Sequence, residues 1–265
     1  MDFLLSPLTS FLASVGRVFF AFLEAVGRLA LFVWASVSAI LRPPFYTKML
    51  FKQLIEVGYY SLPVVGMTAM FTGAALALQT YSGFSRFNAE SSVAIVVVLA
   101  ITRELGPVMA GLMVAGRIGA AYAAEIGTMR VTEQIDALTT LSTDPHKYLV
   151  LPRLLAGVLM LPLLVAIGDI IGVFGGYMVS IHNLGFSAGP YLKSTFEYLE
   201  SKDVISGLIK ASVFGFIITL MGCYHGFHSK GGAQGVGAAT THAVVSASIL
   251  ILLSNYVLTA LLFAK

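Results

Sequence analysis

Charged residues and cysteine are the scarcest features of this chain. Only 11% of its 265 residues are Asp, Glu, Lys or Arg, against roughly a quarter in soluble domains. Hydrophobic residues make up 57%, and the mean hydropathy is +0.88. This scarcity of charge excludes an ordinary soluble domain and argues against nucleic-acid binding, although the formal net charge is +3. The single cysteine, Cys223, excludes an intrachain disulfide.

The chain also lacks the sequence patterns of ATP hydrolysis and of zinc binding. It has no G-x-x-x-x-G-K-[ST] sequence, so ATP hydrolysis of the P-loop kind would need another chain. His225, His228 and His242 are irregularly spaced, with no cysteine or carboxylate among them, and therefore do not predict a zinc site. We expect this chain to contain no catalytic residue, no metal and no bound cofactor of its own.

Long apolar runs, in contrast, are abundant. A transmembrane helix needs about 20 predominantly apolar residues, and five runs reach that length, approximately at 57–79, 92–124, 150–180, 205–227 and 241–263. These runs predict an all-α integral membrane protein with five transmembrane helices. The segment 181–204 carries charged residues among glycines and aromatic residues, which predicts a water-exposed loop with short helices.

The first 45 residues differ from these runs because charged residues repeat along one side of a predicted helix. At 100° per residue, Arg17, Glu24 and Arg28 fall within about 40° of one another. A helix lying in the membrane interface fits this stripe better than a span, because a span would carry three charges into hydrocarbon. The sequence therefore predicts an N-terminal interfacial segment, 1–45, and a five-span domain, 46–265.

A polar segment, Glu125–Arg153, separates the second and third apolar runs. Thr128 or Thr132 can cap a helix within it, and Glu133 and Asp136 place negative charge in its first turns, where the helix dipole favours it. Asp144-Pro145 indicates where that helix ends. An apolar ridge at helical spacing is formed by Val131, Ile135 and Leu138. Spacing alone leaves two interpretations open, a helix resting on the membrane surface and a docking surface for a soluble motor protein.

Two adjacent charged residues, Arg103 and Glu104, lie near the middle of the second apolar run. An ionised residue at that depth costs about 3 kcal/mol on insertion scales. Neighbouring helix positions point about 100° apart, so each residue needs a partner on another helix. Lys210, early in the fourth run, is the expected partner of Glu104. This pairing could serve helix packing alone or belong to a polar cluster that contacts a substrate.

The distribution of Lys and Arg predicts the orientation. Cytoplasmic loops carry an excess of these residues, and most of the loop residues of this kind lie on one side if the N-terminus is inside. We therefore expect a cytoplasmic N-terminus and a C-terminus on the opposite side. The polar segment Glu125–Arg153 is then cytoplasmic.

Several motifs occur in a characteristic order over nearly all of the chain after residue 45. They are Arg103-Glu104-Leu105-Gly106-Pro107, Ala115-Gly116-Arg117-Ile118-Gly119, Glu125-Ile126-Gly127-Thr128-Met129, Glu133-Gln134-Ile135-Asp136-Ala137-Leu138, Asp144-Pro145 and Gly231-Gly232-Ala233-Gln234-Gly235-Val236-Gly237. In order and spacing they resemble the MlaE/YrbE permeases, the membrane subunits of ABC transporters that work with MCE-domain proteins.

This resemblance implies a homodimeric permease in a bacterial inner membrane, with its C-terminus in the periplasm. The expected partners are a cytoplasmic ATPase that binds ATP and Mg, a ring of MCE-domain proteins, a small STAS-domain protein and a phospholipid substrate. The expected function is phospholipid movement between the inner membrane and the outer envelope, which maintains outer-membrane lipid asymmetry. The implied ATPase-coupling helix comprises Glu133, Gln134, Ile135, Asp136, Ala137 and Leu138.

The resemblance also implies a polar cluster in a lipid cavity. Its members are Gln79, Tyr81, Arg103, Glu104, Lys210 and Asn255. Many relatives carry an acid where Asn255 stands, so the cluster lacks one charged partner here. Two other functions stay open on the sequence. One is an ion- or proton-coupled secondary transporter that uses Arg103, Glu104, Asp169 and Lys210 as a relay, and the other is a membrane scaffold without transport activity.

Overall fold

The computed structural model describes residues 2–39, 43, 46–87 and 92–263, with the backbone alone for 2–15, Val18 and Phe22. The described residues form helices and no strand, which confirms the all-α prediction. The helices are α1 (Asp2–Ser38), α2 (Thr47–Gly58), α3 (Leu62–Phe84), α4 (Val93–Ala100), α5 (Gly106–Val114), α6 (Ala120–Val131), α7 (Gln134–Thr140), α8 (Leu151–His182), α9 (Ala188–Tyr198), α10 (Ser201–Phe227) and α11 (Gly232–Phe263).

The chain forms two compact units, Met1–Pro44 and Phe45–Lys265. The described part of the first unit is built on α1, on which Arg28 donates to Glu24 at 2.7 Å in an exposed ion pair. Within this helix, Phe19–Ser38 is long and apolar enough to cross a membrane. Length and composition therefore allow both placements, and the interfacial position of residues 1–45 stays a prediction.

The second unit contains five further helical stretches that are long and apolar enough to cross a membrane. They are Thr47–Phe84, Val93–Val131, His146–His182, Ser201–Phe227 and Gly232–Phe263. Each covers one of the five predicted runs to within one residue and extends beyond it at one or both ends, because the helix continues into polar residues there. Two π-helical segments, Ile101–Leu105 and Ala115–Gly119, interrupt the second of these stretches, and a third, His146–Val150, begins the next one. Such segments are rare and are often found at functional sites.

Glycine faces hold the long helices of the second unit together. A Cβ atom added at Gly73 of α3 would overlap the carbonyl of Gly172 on α8. Likewise, a Cβ atom at Gly215 of α10 would overlap the carbonyl of Gly157 on α8. Small residues at such positions let backbones approach closely. The regularly spaced glycines of α8 therefore serve packing within one chain, and α8 lies between α3 and α10.

The connection between α8 and α10 contains a short helix, as the sequence predicts. This helix, α9, is anchored by Tyr191, which is only 6% exposed. The Tyr191 ring lies 5.8 Å from the ring of Tyr177 and 6.3 Å from that of Phe186, centroid to centroid. Aromatic pairs at such distances add to the stability gained by burial. The connection is thus packed against the helical body on its aromatic side.

Candidate functional site

The π-helical segment Ile101–Leu105 positions the two buried charges of the second run. Gly106 donates its N–H to the carbonyl of Ile101, five residues earlier. Pro107, next in sequence, has no N–H to offer the carbonyl of Arg103, four residues before it. That carbonyl instead accepts a hydrogen bond from Lys210 Nζ at 2.8 Å. Pro107 thus leaves the Arg103 carbonyl free to accept a hydrogen bond from a lysine of another helix.

Lys210 is the fully buried centre of this site. Its side chain is 0% exposed, and Nζ lies 2.8 Å from Glu104 Oε1. Besides the Arg103 carbonyl, Nζ also donates to Thr259 Oγ1 at 2.8 Å. An ammonium group has three N–H donors, so all three are used. The predicted Glu104–Lys210 pairing is confirmed.

Glu104 joins three helices through its two carboxylate oxygens. Oε1 accepts from Lys210, and Oε2 accepts from Asn255 Nδ2 at 2.9 Å. The Thr259 hydroxyl lies 2.9 Å from Oε1 and 2.8 Å from the Asn255 carbonyl, and its single proton serves one of them at a time. The Glu104 side chain is 37% exposed. Asn255 therefore contacts the charged pair as predicted, and the sequence reasoning missed Thr259 as a member.

Arg103 takes a different partner, which the sequence placed in a water-exposed loop. Its Nε and Nη2 atoms both lie 2.7 Å from Asp203 Oδ1, and the Asp203 side chain is 0% exposed. Asp203 Oδ2 accepts the N–H of Glu200 at 3.1 Å, which completes a capping box at the start of α10. The expectation of an exposed Asp203 is therefore wrong. The Glu200-x-x-Asp203 spacing was the signal that could have indicated this helix start.

The structure places Gln79 and Tyr81 at the end of α3. The Tyr81 ring packs at 5.7 Å from the ring of Phe186, edge to face. Tyr81 also packs against the apolar core cluster that contains Val93 and Val97, while Gln79 is exposed. These contacts do not link the two residues with Glu104. Their position at the mouth of a lipid path stays a prediction.

Helix α7 corresponds to the predicted coupling helix, with altered ends. Asp136 lies in its first turn as predicted, whereas Glu133 precedes the helix in a left-handed conformation, φ 61°. Neither predicted threonine caps the helix, since Thr132 Oγ1 donates to the carbonyl of Thr128 in the preceding helix. The helix ends at Thr140, and Asp144 begins the next element by accepting the N–H of His146 at 2.9 Å. The cap and end predictions are therefore wrong.

The faces of α7 agree with the predicted pattern. Ile135 is 2% exposed, and Val131 and Leu138 are half-buried. The exposed side includes Glu133, Gln134, Asp136 and Ala137. Asp136 accepts a hydrogen bond from Arg130 at 2.6 Å. The helix is thus held by its apolar ridge and presents polar side chains outward.

An ion pair joins the two ends of the polar segment Glu125–Arg153. Arg153 is 2% exposed, and its Nη2 lies 2.8 Å from Glu125 Oε2. Its Nη1 donates to the carbonyl of Leu149 at 2.7 Å, and the guanidinium lies 5.2 Å from the centroid of the Tyr122 ring. The pair joins the middle of α6 to the beginning of α8. The helices on either side of α7 are therefore held together by this ion pair.

A third arginine, Arg117, belongs to one of the sequence motifs, but the sequence analysis predicted no ion-pair partner for it. It lies in the π-helical segment Ala115–Gly119, and its Nη2 contacts Glu56 Oε1 at 2.9 Å. Its Nη1 donates to the Glu56 carbonyl at 2.9 Å and to Ser61 Oγ at 2.8 Å. Arg117 thereby joins α2 to the π-helical segment Ala115–Gly119.

These features define a class of protein, a polytopic α-helical membrane protein with a hydrogen-bonded charge network inside its helical body. Charged residues in such positions are rare and mark functional sites. The chain matches the Permease MlaE family over residues 50–261. It therefore belongs to the MlaE permease family.

Similar proteins come from bacteria and from a plant. A probable ABC transporter permease protein of Rickettsia felis is 62% identical over 250 residues, which is 94% of this chain and 96% of that protein. The intermembrane phospholipid transport system permease protein MlaE of Haemophilus influenzae is 32% identical over 259 residues, 97% and 98% of the two chains. The chloroplastic protein TRIGALACTOSYLDIACYLGLYCEROL 1 of Arabidopsis thaliana is 38% identical over 227 residues, 86% and 65% of the two chains.

Proposed function

We propose that this chain is the permease subunit of an ATP-driven ABC transporter. It moves phospholipids between the inner membrane and the outer envelope and so contributes to outer-membrane lipid asymmetry. The names of the Rickettsia and Haemophilus relatives, an ABC transporter permease and a phospholipid transport permease, support this function. The observation that carries it is the network around Lys210, in which an ammonium group and a partly exposed carboxylate share one site.

The network suits a phospholipid headgroup because Arg103 and Glu104 both retain unused hydrogen-bonding capacity. Arg103 is 36% exposed and uses two of its nitrogens on Asp203, which leaves donors for a phosphate oxygen. Glu104 is partly exposed next to it, and can approach a positively charged headgroup amine. Lys210 has no free donor and instead holds Glu104 in position. We therefore assign substrate contact to Arg103 and Glu104, and positioning to Lys210 and Asn255.

Coupling to ATP hydrolysis is proposed to occur at α7. Its exposed polar face fits a groove of a cytoplasmic ATPase subunit, where ATP and Mg bind. The ion pair of Glu125 and Arg153 would transmit movement of that subunit to α6 and α8, because separating it would leave the buried Arg153 guanidinium without its counter-charge. This assignment requires a cytoplasmic N-terminus and a periplasmic C-terminus. The MCE-domain ring would then lie on the periplasmic side, and a STAS-domain protein on the ATPase side.

A homodimer is proposed with α11 at its centre. The outer face of this helix is apolar and repeats at helical spacing, with Val245, Ile249, Leu252 and Tyr256 all more than half exposed. Asn255 and Thr259 lie on the same helix and reach the charge network. A two-fold axis along α11 would therefore bring two networks together around one lipid cavity.

The test is phospholipid transfer by the reconstituted transporter, with its ATPase and MCE-domain subunits, between labelled and unlabelled liposomes. We expect ATP-dependent transfer, and Arg103→Ala should reduce it about tenfold or more, since a charge-assisted hydrogen bond contributes about 1.5–3 kcal/mol. The matched control is Arg28→Ala, which removes an arginine from an exposed pair on α1. Transfer that persists without ATP and follows a pH gradient would instead support the secondary transporter.

A further inference from the structure

A cavity of about 490 Å³ lies among α4, α8, α9 and the start of α10, apart from the charge network. Glu104, Lys210 and Asn255 are not among its lining residues. Its volume falls within the roughly 300–1,000 Å³ of pockets that bind small molecules. The lining is mostly apolar, with Val98, Val173, Phe174, Leu192 and Leu199 among its residues. A cavity with this lining accepts an apolar chain.

One acidic residue, Asp169, stands in the wall of this apolar cavity. It is only 7% exposed, and its Oδ1 atom has no hydrogen-bond partner among the residues that the structure describes. Thr102 and Thr195 are satisfied within their own helices, since Thr102 donates to the Val98 carbonyl and Thr195 to that of Tyr191. The hydroxyl of Tyr191, which also lines the cavity, has no partner among the described residues, as is the case for Asp169 Oδ1. A buried polar oxygen without a partner is costly. Oδ1 is buried against α5, and Asp169 itself lines the cavity, so its carboxyl group is the acidic group that a bound molecule would meet there.

The position of Asp169 is fixed by the neighbouring helix. Gly106 lies so close that an added Cβ atom would overlap Asp169 Oδ1. Gly106 directly follows the π-helical segment whose Arg103 and Glu104 point to other helices. Thr102 of the same segment lines the cavity. The segment thus separates two polar sites, the charge network on one side and Asp169 on the other.

The cavity borders an exposed apolar surface. Three of its lining residues, Ile170, Phe174 and Phe196, are 71%, 51% and 73% exposed. The first two lie on α8, within a stretch that is long and apolar enough to cross the membrane. Their exposed side chains would contact lipid acyl chains there. A ligand would therefore reach the cavity from the hydrocarbon region, without passing through water.

We propose that this cavity binds a neutral long-chain amphiphile whose hydroxyl group hydrogen-bonds to the Asp169 carboxyl group. A hydroxyl both donates and accepts, so it pairs with a carboxyl group in either protonation state. A fatty acid would bring a second carboxylate next to Asp169, and like charges at short distance repel. A pure hydrocarbon would leave the Asp169 carboxyl group without a partner. The expected order of binding is long-chain alcohol, then alkane, then fatty acid.

The experiment uses the full-length protein in lipid nanodiscs and three photoreactive probes. These are hexadecanol, hexadecane and palmitic acid, each with a diazirine at the same chain position. We expect the alcohol probe to label peptides containing Ile170 and Phe196, and unlabelled hexadecanol to compete. Asp169→Leu should weaken competition about tenfold through loss of one hydrogen bond, whereas Asp169→Asn should retain it.

Two further variants keep the test decisive if Asp169→Leu does not fold. Ala166→Phe fills the cavity from another lining position and should abolish competable labelling. Leu159→Phe, at an exposed position of α8 that does not line the cavity, is the matched control and should leave labelling unchanged. Equal labelling by all three probes, or competable labelling that survives Ala166→Phe, would overturn the proposal. Neither ATPase nor lipid transfer is measured, so failure of the proposed transport function would not affect this result.

Discussion

Separating the charges of Glu104 and Lys210 should destabilise the protein unequally. Glu104→Gln leaves a fully buried ammonium group without a counter-charge, although the glutamine carbonyl can still accept a hydrogen bond. We expect a loss of about 3 kcal/mol in unfolding free energy, at the lower end of the ~3–5 kcal/mol for breaking a buried pair. The stranded Lys210 retains the Arg103 carbonyl and Thr259 as acceptors, which limits the loss.

The reverse substitution, Lys210→Met, should cost less. It leaves Glu104 with Asn255 as a donor and with a side chain that is 37% exposed. Solvent and the remaining partner then reduce the penalty to about 1–3 kcal/mol. In the double variant neither charge is stranded, so the loss should fall short of the sum of the single losses by about 1–3 kcal/mol.

Equilibrium unfolding in mixed detergent micelles measures these differences. Ser254→Ala is the control, because the Ser254 hydroxyl donates to carbonyls of its own helix. Its effect should stay within about 0.5 kcal/mol. Strictly additive losses would refute the pairing, and a larger loss for Lys210→Met than for Glu104→Gln would refute the inferred difference in burial.

Three other predictions concern the coupling helix, the topology and helix packing. Replacing Glu133 and Asp136 together with lysine should release the ATPase in co-purification, because like charges would meet at the docking face. The permease should stay folded, since the lost ion pair between Asp136 and Arg130 is exposed. A cysteine at Arg17 should be labelled only from the cytoplasm, and one at Lys265, which lies outside the described residues, only from the other side. Gly215→Ala should lower the unfolding free energy by about 1–3 kcal/mol through overpacking.

Each of these predictions has a result that would contradict it. Retention of the ATPase by the double-lysine variant would remove the coupling role of α7. Labelling of both cysteines from the same side would mean that residues 1–41 cross the membrane. For packing, Gly237→Ala is the matched control, since an added Cβ atom there meets no other atom within 4 Å. Equal stability of Gly215→Ala and Gly237→Ala would show that the close contact with Gly157 is not a constraint.

The membrane-spanning architecture could be predicted from sequence because it depends on local properties. The length of an apolar run decides whether a helix can cross the bilayer, and the apolar ridge around Ile135 determines which side of α7 is buried. The pairing of Glu104 with Lys210 was also predictable. Buried charges need partners, and few charged residues lie within the apolar runs.

Tertiary structure alone decided the other partners of the site. Asp203 stands at the beginning of a long helix, and only the packing of α10 against the π-helical segment buries it next to Arg103. Thr259 joins Lys210 because of the rotation of α11 about its axis. The glycines of α8 face other helices of the same chain. In each case the sequence supplies the side chain, but helix packing and rotation determine which groups it contacts.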